Sequence, residues 1–472
     1  MTLLLLGDAL VRLYRAAGYE VVAANYLGDV GTHIAKCLWG YQNLLSEAER
    51  VPPESGKGEW LGEVYAKSSD ALATWEEAAK DGDADAQAKV DAARAEMTRI
   101  LKAVEERDEA LTKLWTETRQ WSLDEFDEIY EWCDVHFDRI FFESEVDQPS
   151  LALVDEFLQK GVFVESDGAV GIENPEIEHM PFFMLRKRDG TGLYSTKDLA
   201  LARMKFDEFN VDRSIYVVDV RQSDHFRQVF LTLKKMGFEQ ADKCVHVPYE
   251  MVELPDGAMS SRKGTVVLFR ALREQLRETL LNDFLLPKHG PQGEEPWPEE
   301  EIETVAKQLA LGTIKFGMLD RDVNQKIVFD MDEWVKFQGK TGPYLQYVAA
   351  RTNSILAKSA QDGHPLDESL YATDAAFTEV ANSLEHPSAR ALLGQLAGLP
   401  AAVLQAAESN RPSAVVTYLF NFAKVFNDFY RDCSIKHSEG DVKQARLVLV
   451  KAAREALAWG LDLLGIPAPE RM

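Results

Sequence analysis

The chain has 472 residues, 46% of them hydrophobic and 28% charged, the make-up of a globular protein with room for two or three buried cores. No apolar run approaches the roughly 20 residues that span a bilayer, and the short apolar start Met1–Leu6 lacks the basic leader and cleavage site of a signal peptide, so no membrane partner and a cytoplasmic location are expected. The net charge of −26 argues against a polyanionic partner only as a sum: residues 1–305 carry 34 Lys+Arg against 59 Asp+Glu, whereas residues 306–472 carry 18 against 19, which permits a nucleic-acid-binding face in the last third.

Residues 2–17 place apolar side chains at helical spacing, and Gly18 marks the end of that helix. Glu20 to Ala24 then reads as a strand, and Asn25 to Gly31 as a glycine-rich loop behind it, which is α/β grammar. Residues 66–113 are rich in Ala, Glu, Lys and Asp with a break at Asp81 to Asp85. They predict an exposed helical hairpin inserted into the α/β body, and a solvated, salt-bridged spacer is its plainest role. Strands and helices alternate again from Leu151 to about Phe269. Arg213 to Val220 is the clearest buried strand, a helix over Phe226 to Met236 follows it, and Val245 to Leu254 is a further strand region. The Pro/Gly-rich run from Pro287 to Pro298 predicts a linker, and beyond Glu299 the pattern is helical to Met472. The expected order is an α/β domain over residues 1–286, a linker over 287–304 and an all-α domain over 305–472. Cys37, Cys133, Cys244 and Cys433 lie too far apart in sequence for a CxxC-type site, so no metal site and no protein-bound zinc are expected.

Four stretches carry chemistry. Gly28-Asp29-Val30-Gly31-Thr32-His33 follows a strand, where a glycine turn lets backbone N–H groups approach a ligand, although an ordinary left-handed turn would look the same. In Asp189-Gly-Thr-Gly-Leu-Tyr194-Ser-Thr-Lys-Asp198, Tyr194 and Asp198 stand four apart and share a face if a helix begins near Thr196. A phenol and a carboxylate converging on a pocket could hold a cation, while Asp198 could equally serve as a first-turn helix acid. Asp219-Val-Arg-Gln222-Ser-Asp-His225 leaves the carboxyl end of a buried strand, the usual ligand edge of an open α/β sheet, with helix capping by Ser223 or Asp224 as the compatible alternative. Met259-Ser260-Ser261-Arg262-Lys263-Gly264 packs two hydroxyls and two cations into six residues, and such a loop can follow a polyphosphate as its charge redistributes.

Taken together these stretches resemble the class I aminoacyl-tRNA synthetases, and specifically the arginyl enzymes, over essentially the whole chain. The Met259 loop is similar to the family's second ATP signature, with Ala258 in place of its leading lysine, so the cationic work falls to Arg262 and Lys263. Tyr194-Ser-Thr-Lys-Asp198 looks like the family's Y-x-T-x-D stretch, and the arginine-contacting glutamine maps to Gln222. The resemblance implies that Tyr194, Asp198 and Gln222 contact the substrate arginine, and Gly28, Asp29 and His225 are weaker candidates for ATP. Gly339 to Arg351, Tyr418 to Tyr430 and the ending Leu463 to Met472 resemble the anticodon-binding bundle, where Tyr418, Tyr430 and Met472 are expected to meet tRNA. The implied fold is α/β plus all-α, a Rossmann-like class I catalytic domain with a helical insertion, followed by a helical-bundle anticodon-binding domain. The implied partners are L-arginine, ATP with Mg²⁺, and tRNA(Arg), acting on a monomer. A non-catalytic tRNA-binding relative is the alternative.

The family's first ATP signature, H-x-G-H at a helix start, would fall just before Leu5, where Met1-Thr-Leu-Leu stands. No H-x-G-H occurs elsewhere in the chain. The first strand of a doubly wound sheet lies in its middle, so its absence would leave unpaired backbone groups on both flanks. On the resemblance, these 472 residues alone are expected to be inactive or nearly so.

Overall fold

A computed structural model describes residues 1–255, 257–258, 268–322 and 325–472. Two compact units emerge, and each interleaves segments distant in sequence. One comprises Ala23–Ser214 and Asp224–Cys244; the other comprises Met1–Val22, Ile215–Ser223 and Val245–Met472.

In the first unit, strand Ala24–Leu27 pairs in parallel with Arg139–Phe142, in the register Tyr26 opposite Phe141. The strand thus begins where the sequence suggests it should end. The reason is local: Asp138 Oδ2 accepts from the Ala23 amide at 2.7 Å, and the Ala23 carbonyl accepts from the Asp138 and Arg139 amides, so the ladder starts only at Ala24. The glycine loop is correspondingly short, and Gly31, at φ +104°, opens helix Thr32–Asn43.

Between the paired strands run three long helices, Lys57–Lys80, Ala84–Glu105 and Glu109–Cys133. The hairpin break predicted near Asp81 is present: Asp83 caps the second helix by accepting from the Asp85 and Ala86 amides. These helices are more than an exposed spacer. Leu72, Ala93, Met97, Ile100 and Leu111 form a dry core with Ala35, Leu38 and Trp39 of the Thr32–Asn43 helix. At about 1.5–3 kcal/mol for each large apolar side chain buried, that core holds the insertion to the α/β body. Helix Glu143–Gln159 then leads to an antiparallel meander of Val164–Ser166, Ala169–Glu173 and Phe182–Arg186. Asp167 and Gly168, both at positive φ, make its tight first turn.

In the second unit the amino-terminal helix Thr2–Ala16 is a core element. Leu6, Ala9, Leu10 and Leu13 are buried in one cluster with Phe316, Leu345, Leu399, Val415, Leu419, Phe422 and Phe426. Beneath it lies a buried ion pair, Lys315 Nζ to Asp8 Oδ2 at 3.1 Å, with side chains 1% and 8% exposed. Arg12 grips the same carboxylate and reaches Asp462 at the end of the last helix. Gly465 sits above with φ +64°, and a Cβ there would strike both charged groups. Strands Ser214–Asp219 and Cys244–Tyr249 form a two-stranded sheet. The helices Glu299–Leu319, Gly342–Gln361, Pro387–Glu408, Pro412–Asp432 and Gly440–Asp462 make the bundle. Among the described residues no helix is long and apolar enough to cross a membrane.

Candidate active site

The stretch Tyr194 to Asp198 folds as the first turn of helix Tyr194–Phe209. Its start is stitched to the preceding strand, because the buried Ser195 hydroxyl donates to the Met184 carbonyl at 2.7 Å and Thr196 donates to the Leu185 carbonyl. Gly190, at φ +86°, makes the turn between them, with Asp189 accepting from the Thr191 amide. This geometry leaves the Tyr194 ring 61% exposed and sets Asp198 one turn further on.

Asp198 is mostly enclosed, and its Oδ2 shares a 2.6 Å hydrogen bond with His225 Nε2. His225 comes from helix Ser223–Lys235 and is braced by the edges of Phe183 and Phe226. The structure therefore places His225, a weak ATP candidate in the sequence, on the carboxylate expected to read the substrate. Gln222 is exposed in the 3-10 turn Val220–Gln222, which Asp219 caps by accepting from the Arg221 amide at 2.8 Å. That capping role falls to Asp219 rather than to Ser223 or Asp224; the Ser223 hydroxyl donates to the Val220 carbonyl.

Around Asp198 the other charges are matched. Lys197 bridges Glu143 at 2.8 Å and Asp147 at 3.0 Å. Asp29 is 4% exposed; its carboxylate accepts from Arg119 at 2.7 Å and from the Ser144 amide and hydroxyl at 2.9 and 2.7 Å. The Asp29 carbonyl also accepts from the Trp115 indole at 2.7 Å, and the Arg119 guanidinium lies 4.4 Å over that ring. Asp29 is thus occupied in pinning the glycine loop to the insertion helix Glu109–Cys133 and to the start of helix Glu143–Gln159. Gly28 beside it is exposed. Sequence reasoning could not find Arg119 or Ser144, since they stand 90 and 115 positions away from Asp29. Met259, Ser260, Ser261, Arg262 and Lys263 lie outside the described residues. Strand Gly257–Ala258, antiparallel to Val252–Leu254, leads into them, and helix Phe269–Leu280 follows. Among the described residues no group of three or more His, Cys, Asp or Glu side chains could hold a metal ion.

Lys205, further along the Asp198 helix, is half-buried; burial pushes its ammonium down to about 8, opposed by Cys244 and Asp198. Below that pH the lysine is protonated whether the chain is folded or not, and the fold carries the cost of enclosing it. Between about pH 8 and the ordinary lysine value the folded protein releases the proton while the unfolded chain keeps it. The unfolded state then binds more protons, so stability rises with pH. The melting temperature of the protein, minus that of Lys205→Met, is expected to climb across this window. A flat difference curve would refute the assignment.

In the helical bundle, Tyr418 and Tyr430 have different surroundings. The Tyr418 hydroxyl donates to the Gln395 carbonyl, and the ring packs against the central cluster. Tyr430 is 41% exposed, with the Arg351 guanidinium 5.7 Å from its ring centroid. Arg351 also lies 4.6 Å over Tyr347 and donates to that hydroxyl at 2.6 Å and to Asn427 at 3.0 Å. Of this tyrosine–arginine–tyrosine layer, whose two rings are exposed, the sequence points only to Tyr430, although Tyr347 and Arg351 at i and i+4 on a helix are a readable signal. The Met472 carbonyl accepts from Lys288 at 3.5 Å, and Asn353 holds the Glu470 carbonyl at 3.0 Å, so the chain's end is laid along the bundle.

Residues 2–331 match the family model for the catalytic domain of class I (R) tRNA synthetases, and residues 345–472 match the DALR anticodon binding domain. An arginine–tRNA ligase of Bdellovibrio bacteriovorus is 43% identical over 472 residues, covering 99% of this chain and 76% of that one. One of Fusobacterium nucleatum is 32% identical over 468 residues, with the same coverage of 99% and 76%. The solved arginyl-tRNA synthetase of Thermus thermophilus superimposes with a TM-score of 0.77 at 26% identity, over 99% of this chain and 79% of that one.

Proposed function

This chain belongs to the arginyl class I tRNA synthetases, and from that premise we propose how its residues divide the work. The activity is that of an arginine–tRNA ligase: the carboxylate of L-arginine attacks the α-phosphate of ATP to give arginyl-adenylate and pyrophosphate, and a terminal ribose hydroxyl of tRNA(Arg) then takes the arginyl group. No covalent enzyme intermediate is needed, so positioning and charge stabilisation do the chemical work.

The observation that carries the amino-acid assignment is Asp198, an enclosed carboxylate one helical turn beyond the exposed phenol of Tyr194. A guanidinium is planar, permanently charged and presents paired N–H donors that fit a carboxylate. In the free protein His225 occupies the Asp198 oxygen, so arginine binding exchanges one nitrogen donor for another. The Tyr194 phenol covers the side chain, and Gln222 takes the orienting role that the resemblance implies. We assign the phosphates of ATP, which brings its Mg²⁺, to the backbone at Gly28 and to Met259, Ser260, Ser261, Arg262 and Lys263, with Arg262 and Lys263 following the charge. Asp29 shapes the glycine loop rather than touching the nucleotide. Residues 1–286 carry this chemistry and residues 305–472 carry tRNA recognition, in a cytoplasmic monomer.

For tRNA the exposed layer of Tyr347, Arg351 and Tyr430 suits an unpaired base, since aromatic faces and a guanidinium stack on any base. Arg351→Ala is expected to weaken tRNA binding about tenfold, as a loss of one stacked contact implies, and to leave arginine affinity unchanged. Filter binding with labelled tRNA measures the first and calorimetry the second. For the amino-acid reading itself, calorimetric titration with L-arginine should reveal one saturable site per chain. No saturable binding would overturn it.

A further inference from the structure

We infer that Tyr26 is a further specificity-determining residue for the arginine side chain, its hydroxyl oxygen kept without a partner in the fold so that it can accept from the guanidinium. This rests on the reading of Asp198 given above.

Tyr26 stands in strand Ala24–Leu27, and its ring packs on Phe141, Val146, Ala200 and Leu201. The last two belong to the helix that carries Asp198. The ring is thereby fixed, and the hydroxyl is buried with no hydrogen-bond partner. Its neighbours in charge are Asp198, Glu143, Asp29 and Asp147. Every one of those carboxylates already has a donor: Asp198 has His225, Glu143 and Asp147 have Lys197, and Asp29 has Arg119 and Ser144. The phenol is thus the unmatched polar group among matched ones.

A buried hydroxyl left unpaired costs free energy, and such groups in native folds call for an explanation. Burial first, and then the four carboxylates, hold the phenol protonated far above the ordinary tyrosine range. It therefore presents a neutral oxygen with lone pairs in a field that favours a cation. A guanidinium docked on Asp198 has more N–H donors than one carboxylate can accept, and the Tyr26 oxygen can take one of the remainder. A site that hydrogen-bonds a particular N–H discriminates strongly against side chains that lack it.

The experiment titrates L-arginine into the 472-residue chain and its Tyr26→Phe variant by calorimetry, with thermal melts of both and Asp198→Ala as the control for the parent reading. Tyr26→Phe removes one oxygen, so its melting temperature should equal or exceed that of the parent protein, while the Kd for arginine rises about tenfold or more, the scale of a lost hydrogen bond to a charged group. An arginine Kd within twofold of the parent protein's would overturn the inference. So would a fall in melting temperature, which would show the hydroxyl to be structural. If Tyr26→Phe binds normally and Asp198→Ala does not, Tyr26 alone falls. If the unaltered chain binds no arginine, both readings fall together.

Discussion

Asp198→Ala is expected to weaken arginine binding by about two orders of magnitude or more, because truncating one partner of an enclosed charge pair costs roughly 2–5 kcal/mol. Affinity for tRNA should stay within a factor of two, since the bundle residues assigned to it lie elsewhere in the chain. Calorimetry with L-arginine and filter binding with tRNA separate the two effects. The variant also removes the partner of His225, which holds Asp198 at 2.6 Å. His225→Gln, which keeps a donor without the imidazole, is therefore a useful companion; it should retain most of the arginine affinity if Asp198 is the residue that reads the guanidinium.

The second large effect concerns stability. Asp8→Ala takes the Asp8 carboxylate away from the Lys315 ammonium, which is 1% exposed. Removing one partner of a buried pair costs about 3–5 kcal/mol, which corresponds to a fall in melting temperature of roughly 5–10 °C for a unit of this size. Arg12 loses the same carboxylate and retains its pairing with Asp462. Replacing both members, Asp8→Leu with Lys315→Met, should recover much of the loss, because well-packed apolar side chains often substitute for a buried ion pair at little cost. A double variant as unstable as Asp8→Ala alone would show that the apolar pair does not pack in the place of the ion pair.

What could be read from sequence was whatever depends on near neighbours. The helix Thr2–Ala16, the Asp189-Gly190 turn, the helix carrying Tyr194 and Asp198 at i and i+4, and the bundle beyond Glu299 all follow from local spacing and turn chemistry. What could not be read depends on partners far along the chain. The strand at Ala24–Leu27 is displaced from the most strand-like run because Asp138 caps Ala23. Asp29 looked like a ligand because it sits in a glycine loop, and only the arrival of Arg119 and Ser144 shows its carboxylate to be occupied. The insertion looked like a spacer because its charged residues dominate its composition, yet Leu72, Met97 and Ile100 bury a full face against Leu38 and Trp39. Tyr26 gave no local sign at all, since its importance lies in a hydrogen bond that the fold does not make.

On the proposed reading the enclosed Asp198 carboxylate, with phenols beside it, selects a guanidinium. Citrulline tests it most directly, because it matches arginine in size and shape but carries a neutral urea in place of the charged, donor-rich group. Calorimetric titration of the chain with L-arginine and L-citrulline should give saturable binding of arginine and an affinity for citrulline at least about a hundredfold weaker, in keeping with the cost of leaving a buried carboxylate without its charged partner. Equal affinities for the two would contradict the account.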